Sequence, residues 1–447
     1  MTYQDVIAFV DERMAQSTKD LVDLVAIPSV SADSFDQGPL TDSAQWVADR
    51  ANALGLDTQI IELVAPSGKK GRPAILATRD PEPGKPTVML YAHHDVQPPG
   101  DADLWDSEPF SAVERHGRLY GRGTGDDKAG VIAHLASIAA ARPGVGITLF
   151  IEGEEEIGSP TFVDFLDAHK DTLEADVIVV ADSNNWQVGT PALTTSLRGV
   201  TQVSVTVSAL DHALHSGMYG GPVLDSVTLA ARLIATLHDA VGNVAVEGLV
   251  SRDDTIVDYP EEQFRLDAGV LDGVELAGEG SITSRMWTKP AISVTAMDVT
   301  PVELVSNTLI PSTTFVLSLR VAPGQDAGEA ADKLVAHLTN NAPSGAHVDV
   351  TIDERGPSFE AGEPTETFKL MQWALAEAWG TESVEIGVGG SIPFIADLSA
   401  VFPDAQILVT GIEDPDTRAH SENESLHLGD WRNAIVAEAL LLTRLGE

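Results

Sequence analysis

A chain of 447 residues with 43% hydrophobic content is long enough for one large or two ordinary domains around a packed core. Its 68 acidic residues against 27 basic ones give a formal charge of −41, which repels phosphate backbones and anionic lipid and so excludes nucleic acid and membrane as expected partners. The absence of cysteine excludes disulfides and thiolate ligands, so a transition-metal site must use imidazole and carboxylate.

The first residues, MTYQDVIAFVDERMAQ, carry acids where a secretory signal needs a basic start and an apolar core, and no stretch approaches a membrane span. A cytoplasmic protein is the expectation. Periodicity predicts a helix over 3–26, then strands near 58–64, 73–80, 87–96, 146–152 and 176–182 alternating with helices near 127–142 and 160–169. Such alternation marks an α/β sheet. From about residue 198 the texture changes to period-two TQVSVTVSAL. A helix over 222–240, strands near 291–298 and 313–321, a helix over 326–339 and a strand near 346–352 then read as a separate α+β block. After the linker GPSFEAGEP, a helix over 364–379, strands at 383–387 and 405–410 and a helix over 430–445 resume the first pattern.

Chemistry-bearing residues gather where apolar runs end. In TVMLYAHHDVQPPG, residues 87–100, alternation puts His93 and Asp95 on one face, where a metal-bound imidazole gives its other N–H to a carboxylate. His94 points to the other face and reads as a packing or hydrogen-bonding residue. LYGRGTGDDKAG, residues 119–130, is a glycine-rich turn entering a helix without the Walker spacing. Asp126 there is either an N-cap or a carboxylate bridging two cations. LFIEGEEEIGSP sets Glu154, Glu155 and Glu156 together at a strand end, an arrangement that is costly without a counter-ion unless the loop is simply solvated. VIVVADS ends on Asp182, and open α/β sheets place their sites at the carboxyl ends of strands.

His420 lies in the polar loop RAHSENES after the short strand DAQILVTG. His215 in ALHSGMYGG and Arg320 at the end of TTFVLSLR are open between structural and functional roles. Gly389, Gly390 and Ser391 form either an anion-binding nest or a plain turn. The ligand-type residues lie before residue 183 and after residue 419, so the two ends must meet if they build one site, and the middle block is then an insertion.

Taken in order, YAHHDVQP, GRGTGDDK, EGEEEIGS, VADSNNW, HSGMYGG, GGSIP and AHSENE resemble the zinc metallopeptidase family of carnosinase, cytosolic non-specific dipeptidase, aminoacylase and glutamate carboxypeptidase, and most of all its dipeptidase branch. The resemblance spans nearly the whole chain. It implies a mixed-sheet di-zinc peptidase catalytic domain, residues 1–197 with 358–447, interrupted by an α+β lid and dimerisation domain at 198–357. Two zinc ions per subunit are implied, one held by His93 and Asp182, the other by Glu156 and His420, with Asp126 bridging; manganese or cobalt suits the same ligands. Asp95 would orient His93, and Glu155 would be the general base for a water that attacks the peptide bond of a dipeptide or other short peptide. His215 would reach into the partner subunit's site of a homodimer as an oxyanion donor. Arg320, Thr308, Ser391 and Gly390 would bind the substrate's free carboxylate or neighbouring groups.

Ala92 and His94 stand where the dipeptidase branch commonly has glycine and tyrosine, and GVGGSIP lacks the charged pair that often precedes GGSIP there, which loosens the expectation of substrate preference. A deacylase or desuccinylase acting on N-acyl amino acids would share the same hydrolytic centre. A catalytically silent metal-binding protein is the reading from another class, and the presence of all five ligand positions and Glu155 counts against it.

Overall fold

Runs such as TVMLYAH and GITLFIE offer no polar break, and a strand of that kind is stable only when covered on both faces. The computed structural model, which describes every residue except Met1, Arg142, Pro143 and Ser391, builds a mixed α/β fold around them. In chain order come helices α1 (Tyr3–Val25) and α2 (Gly38–Ala53), strands β1 (Asp57–Ile61), β2 (Ala74–Arg79) and β3 (Thr87–His93), helix α3 (Lys128–Ala140), strand β4 (Gly146–Glu152), helix α4 (Phe162–Leu173) and strand β5 (Val177–Asn184). The middle segment supplies β6 (Gly199–Ser208), α5 (Ser226–Ile234), β7 (Ala291–Met297), β8 (Ser312–Val321), α6 (Ala327–Asn340) and β9 (His347–Gly356). Helix α7 (Glu366–Trp379), strand β10 (Gln406–Glu413) and helix α8 (Leu428–Leu445) follow.

The chain divides into two compact units, Met1–Thr194 with Ala361–Ile386 and Asp397–Glu447, and Thr195–Glu360 with Gly387–Ala396. In the first, strands run in the order β1-β2-β4-β3-β5-β10. β3 is parallel to both neighbours and β5 is parallel to β10, whereas β2 is antiparallel to β1 and β4, so the sheet is mixed. Alternation assigns its two faces. Val88, Leu90 and Ala92 join the core formed with α1, α2, α3, α7 and α8. Tyr91 turns the other way, into an aromatic cluster where Phe150 stacks on Phe165 at 4.8 Å and meets Tyr91 edge-on at 5.5 Å. Each such buried side chain contributes roughly 1.5–3 kcal/mol. The parallel register pairs His93 with Glu152, so the chemical ends of β3 and β4 finish level with one another.

The second unit is simpler. Its antiparallel sheet, ordered β7-β8-β6-β9, buries every second residue of β6, Val203, Val205 and Val207, against Leu229 and Leu233 of α5 and Leu334 and Leu338 of α6. The alternate positions are polar, as one-sided sheets require.

Differences from the expectations are local. The strand expected to reach residue 96 ends at His93, and the helix expected over 222–240 is confined to Ser226–Ile234, started by Asp225, whose carboxylate accepts from Thr228 N at 2.9 Å. Gly387–Ala396, expected within the catalytic segment, packs with the second unit. Among the described residues no helix is long and apolar enough to cross a membrane.

Candidate active site

His93 closes β3, Glu155 and Glu156 follow β4 in one helical turn, and Asp182 sits near the end of β5. All lie at the carboxyl edge of the sheet, where parallel strands deliver side chains from neighbouring ends to one place. Asp126 precedes α3, and His420 arrives on the loop after β10. His93, Asp126 and Asp182 each offer a donor atom within 4.8 Å of the others, and Asp126, Glu156 and His420 do the same. The two groups share Asp126. One of its oxygens lies 3.0 Å from His93 Nε2 and the other 2.9 Å from His420 Nε2, which is itself 3.2 Å from Glu156 Oε2. Asp182 Oδ1 stands 4.0 Å from His93 Nε2.

Neighbouring groups fix each of these side chains. His93 Nδ1 lies 3.0 Å from the Asp95 backbone carbonyl and 3.4 Å from its carboxylate, which leaves Nε2 free to face Asp126. The Asp95 carboxylate also accepts from the backbone N–H of Glu155 at 3.3 Å and of Glu156 at 3.1 Å, so one buried acid ties the end of β3 to the glutamate turn. His94 donates from Nε2 to the Pro73 carbonyl at 2.8 Å and is buried; burial pushes its pKa down to about 4, keeping it a neutral packing residue.

Sequence reasoning missed what holds the Asp126 loop. Glu424, fully buried, accepts from Gly123, Gly125 and Asp126 N–H at 3.1, 2.9 and 3.1 Å and pairs with Arg122 at 2.6 Å. A side chain on Gly125 would meet Thr417 Cγ2 at 2.5 Å, so the close approach needs glycine. Asp127 accepts from His93 N–H at 3.2 Å, and buried Lys128 donates to the Leu24 and Ile27 carbonyls at the end of α1. The run GRGTGDDK is thus a backbone cradle whose every charged residue is committed. Its signal in sequence was the row of exposed N–H groups that a glycine-rich turn creates, which call for an anion.

Electrostatically the cluster is unbalanced. Burial raises Asp182 to about 6, and burial followed by the charge of Asp126 raises Glu156 to about 7. Glu155 is held well above the carboxylate range, again by burial first. Hydrogen bonds to Asp126 and Glu156 lift His420 to about 11; burial pulls His93 down, but its bonds to Asp126 and Asp95 outweigh that and leave it raised. Asp126 goes the other way: burial is outweighed by its bonds to His420 and His93, which hold it below the carboxylate range. A donor set of two imidazoles and three carboxylates with no sulfur, two of those acids raised by burial, suits divalent cations. The residues present therefore fit a metal centre.

In the second unit, His215 and Thr308 face each other across a two-residue antiparallel pairing. His215 is exposed, and its Nδ1 accepts from Gly217 N–H at 3.1 Å. Arg320 lies on β8, opposite Val200 of β6. Arg198, not singled out in the sequence, donates to the Gly389 carbonyl at 3.0 Å, and burial followed by the nearby Arg320 charge lowers its pKa to about 10. Two clustered arginines in so acidic a chain make an anion-attracting spot. Gly390 is half-buried, and Ser391 lies outside the described residues.

The sequence profile of Peptidase family M20/M25/M40 matches residues 89–444, from the strand bearing His93 almost to the end of α8. A cysteinylglycine-S-conjugate dipeptidase of Corynebacterium striatum is 32% identical over 447 residues, covering 98% of this chain and 96% of that protein. The chain belongs to this peptidase family. Another relative of this family enzyme, the Cys-Gly metallodipeptidase DUG1 of Candida albicans, is 26% identical over 95% of the chain and 93% of its own length. The crystal structure of human carnosine dipeptidase 1 superposes with a TM-score of 0.79 at 23% identity, covering 100% of this chain and 99% of that one, which establishes the shared fold. As a metallopeptidase of the family, the protein is a hydrolase that binds divalent metal.

Proposed function

We propose that the enzyme hydrolyses dipeptides at a centre of two divalent ions, zinc by expectation, in which Asp126 serves both. The observation that carries the reading is the sharing of Asp126 between two three-donor groups. His93 and Asp182 would complete one site, Glu156 and His420 the other. Divalent ions there supply Lewis-acid polarisation of the scissile carbonyl and make water more acidic.

The remaining work falls to the chain's own residues. Asp95 holds His93 and the glutamate turn in place. Glu155, next to Glu156 on that turn, takes a proton from the attacking water and returns it to the leaving amine nitrogen. His215 donates to the oxyanion across a homodimer. Arg320, Thr308, Gly390 and Ser391 receive the substrate's free carboxylate, a role that the cationic pair of Arg198 and Arg320 supports for the first of them. A cytoplasmic location belongs to the same proposal. Cysteinylglycine-type dipeptides are the first substrates to try, because the relatives in Corynebacterium striatum and Candida albicans carry those names.

The test is a panel of dipeptides and N-acyl amino acids incubated with metal-stripped and metal-restored protein. Metal-restored dipeptide cleavage is expected; cleavage of acyl compounds alone would reassign the enzyme as a deacylase. Glu155→Gln is expected to keep its metal content, read by elemental analysis, while kcat falls at least about 100-fold, the contribution usual for a positioned general base. Undiminished turnover in that variant would remove Glu155 from the mechanism.

A further inference from the structure

Strand β10 ends as the other site-bearing strands do, with an apolar run, QILVTGI, closing on an acid. That acid, Glu413, has no role in the mechanism above. It is 92% buried, and among the described residues its carboxylate forms no hydrogen bond or ion pair, although its backbone carbonyl is fixed by Asn185 N–H at 2.8 Å. The parallel pairing of β10 with β5 aligns Glu413 with Asn184, close to Asp182. Its carboxylate lies among Asp126, Asp182, Glu424 and His420, whose charges act on it.

The other acids there are committed. Glu424 is neutralised by Arg122 and three backbone N–H groups, Asp126, Asp182 and Glu156 supply the donor groups, and Asp95 holds the glutamate turn. Neither donor group contains Glu413. A carboxylate buried without a partner is charged only when a cation meets it and otherwise keeps its proton, so the position is suited to a cation that arrives with a ligand. A dipeptide brings one: its α-ammonium is two bonds from the scissile carbonyl carbon and must lie beside the ions whenever that carbonyl does. Ammonium donors to a carboxylate make strong, charge-assisted bonds.

We infer that Glu413 is the substrate-binding residue that receives the free α-ammonium of the dipeptide, so that the enzyme reads the amino terminus of its substrate at the metal-bearing edge of the sheet. This rests on the dipeptidase reading. It makes a free amine, rather than an acylated one, a condition of efficient cleavage.

The experiment compares L-alanylglycine with propionylglycine, which has the same shape without the amine, as kcat/KM for metal-loaded full-length wild type, Glu413→Gln and Glu413→Asp, with metal content measured on each. Wild type is expected to favour alanylglycine, and Glu413→Gln to lose roughly 10- to 100-fold of that preference, mainly through KM, with metal content unchanged. Glu413→Asp, which keeps the charge on a shorter arm, is expected to retain part of the preference, and it decides the matter alone should the Gln variant not fold. An unaltered preference in the variants, or a variant that loses metal, would overturn the inference while leaving the dipeptidase reading in place. Wild type that cleaves neither compound nor any other dipeptide would overturn both.

Discussion

His420 shows how far one residue's chemistry is set by its neighbours. Alone in a polar loop it would titrate near 6.5; between Asp126 and Glu156 its pKa reaches about 11, and His93 is raised in the same way. Without metal both imidazoles therefore hold protons at neutral pH, whereas a metal ligand must be the neutral ring. Metal binding is expected to release protons, more than one per chain when both sites fill, measurable with an indicator dye in weak buffer. The sign follows directly: lowering the pH favours the protonated ligands, so affinity falls roughly tenfold per pH unit for each proton released. Competition titrations with a chelator at pH 6, 7 and 8 would check it, and a flat profile would show the histidines to be neutral beforehand. His420 adopts a left-handed backbone, φ 63°, as do Arg418 and Asn423 at 59° and 60°. Conformations that non-glycine residues avoid persist where surroundings over-determine them, and here Ser421 N–H donates to the Arg418 carbonyl at 3.0 Å while the Asn423 side chain accepts from Asp106 N–H and donates to the Leu104 carbonyl, both at 2.9 Å.

At the scale of elements, the strand ends were legible because a buried run that stops at His, Asp or Glu has few structural excuses. His93, Glu156 and Asp182 were read in that way, and Glu413, which ends its run in the same manner, was passed over. What escaped were contacts with no local signature. The Arg122–Glu424 pair joins positions 302 apart in sequence, and nothing near either residue announces the other. Helix α2 escaped as well, because GPLTDSAQWVADRANA opens on glycine and proline and dilutes its apolar face with small polar residues. Lys128 is a cross-element tie of the same kind, donating from the start of α3 to the carbonyls that end α1. Burial lowers its pKa from 10.5 to about 7. Between those values the unfolded chain binds a proton that the folded one does not, so Lys128 makes stability rise with pH across that window. Lys128→Met is expected to cost about 1–3 kcal/mol through the two orphaned carbonyls. It should also flatten the rise in urea midpoint between pH 7 and 9 relative to wild type, and an equal slope in both proteins would contradict the assignment.

Over the whole molecule, a charge of −41 means that folding gathers like charges, and the donor groups bring Asp126 together with Asp182 and with Glu156. Bound cations then act on stability as well as chemistry. Any ligand that binds only the native state adds about 2.7 kcal/mol at a hundredfold excess over its dissociation constant. Chelation is accordingly expected to lower the melting temperature by several degrees, with recovery on adding zinc or manganese; a melting curve indifferent to chelator would mean that the sites bind too weakly to matter. The two-unit division follows a change of pattern visible along the chain, buried runs in the outer segments and a period of two in the middle one, whereas the mixed strand order was legible only through the family resemblance, because periodicity does not show which strands pair.

The distribution of the donors along the chain also has a bearing on biosynthesis. Four of them, His93, Asp126, Glu156 and Asp182, leave the ribosome early, yet the second donor group closes only when His420 arrives, after β10 has been added beside β5 and just before Glu424 can seat the Asp126 loop. A chain that has not yet reached His420 therefore offers only the first group, His93, Asp126 and Asp182, and stays a one-site precursor until the second group closes around the same Asp126.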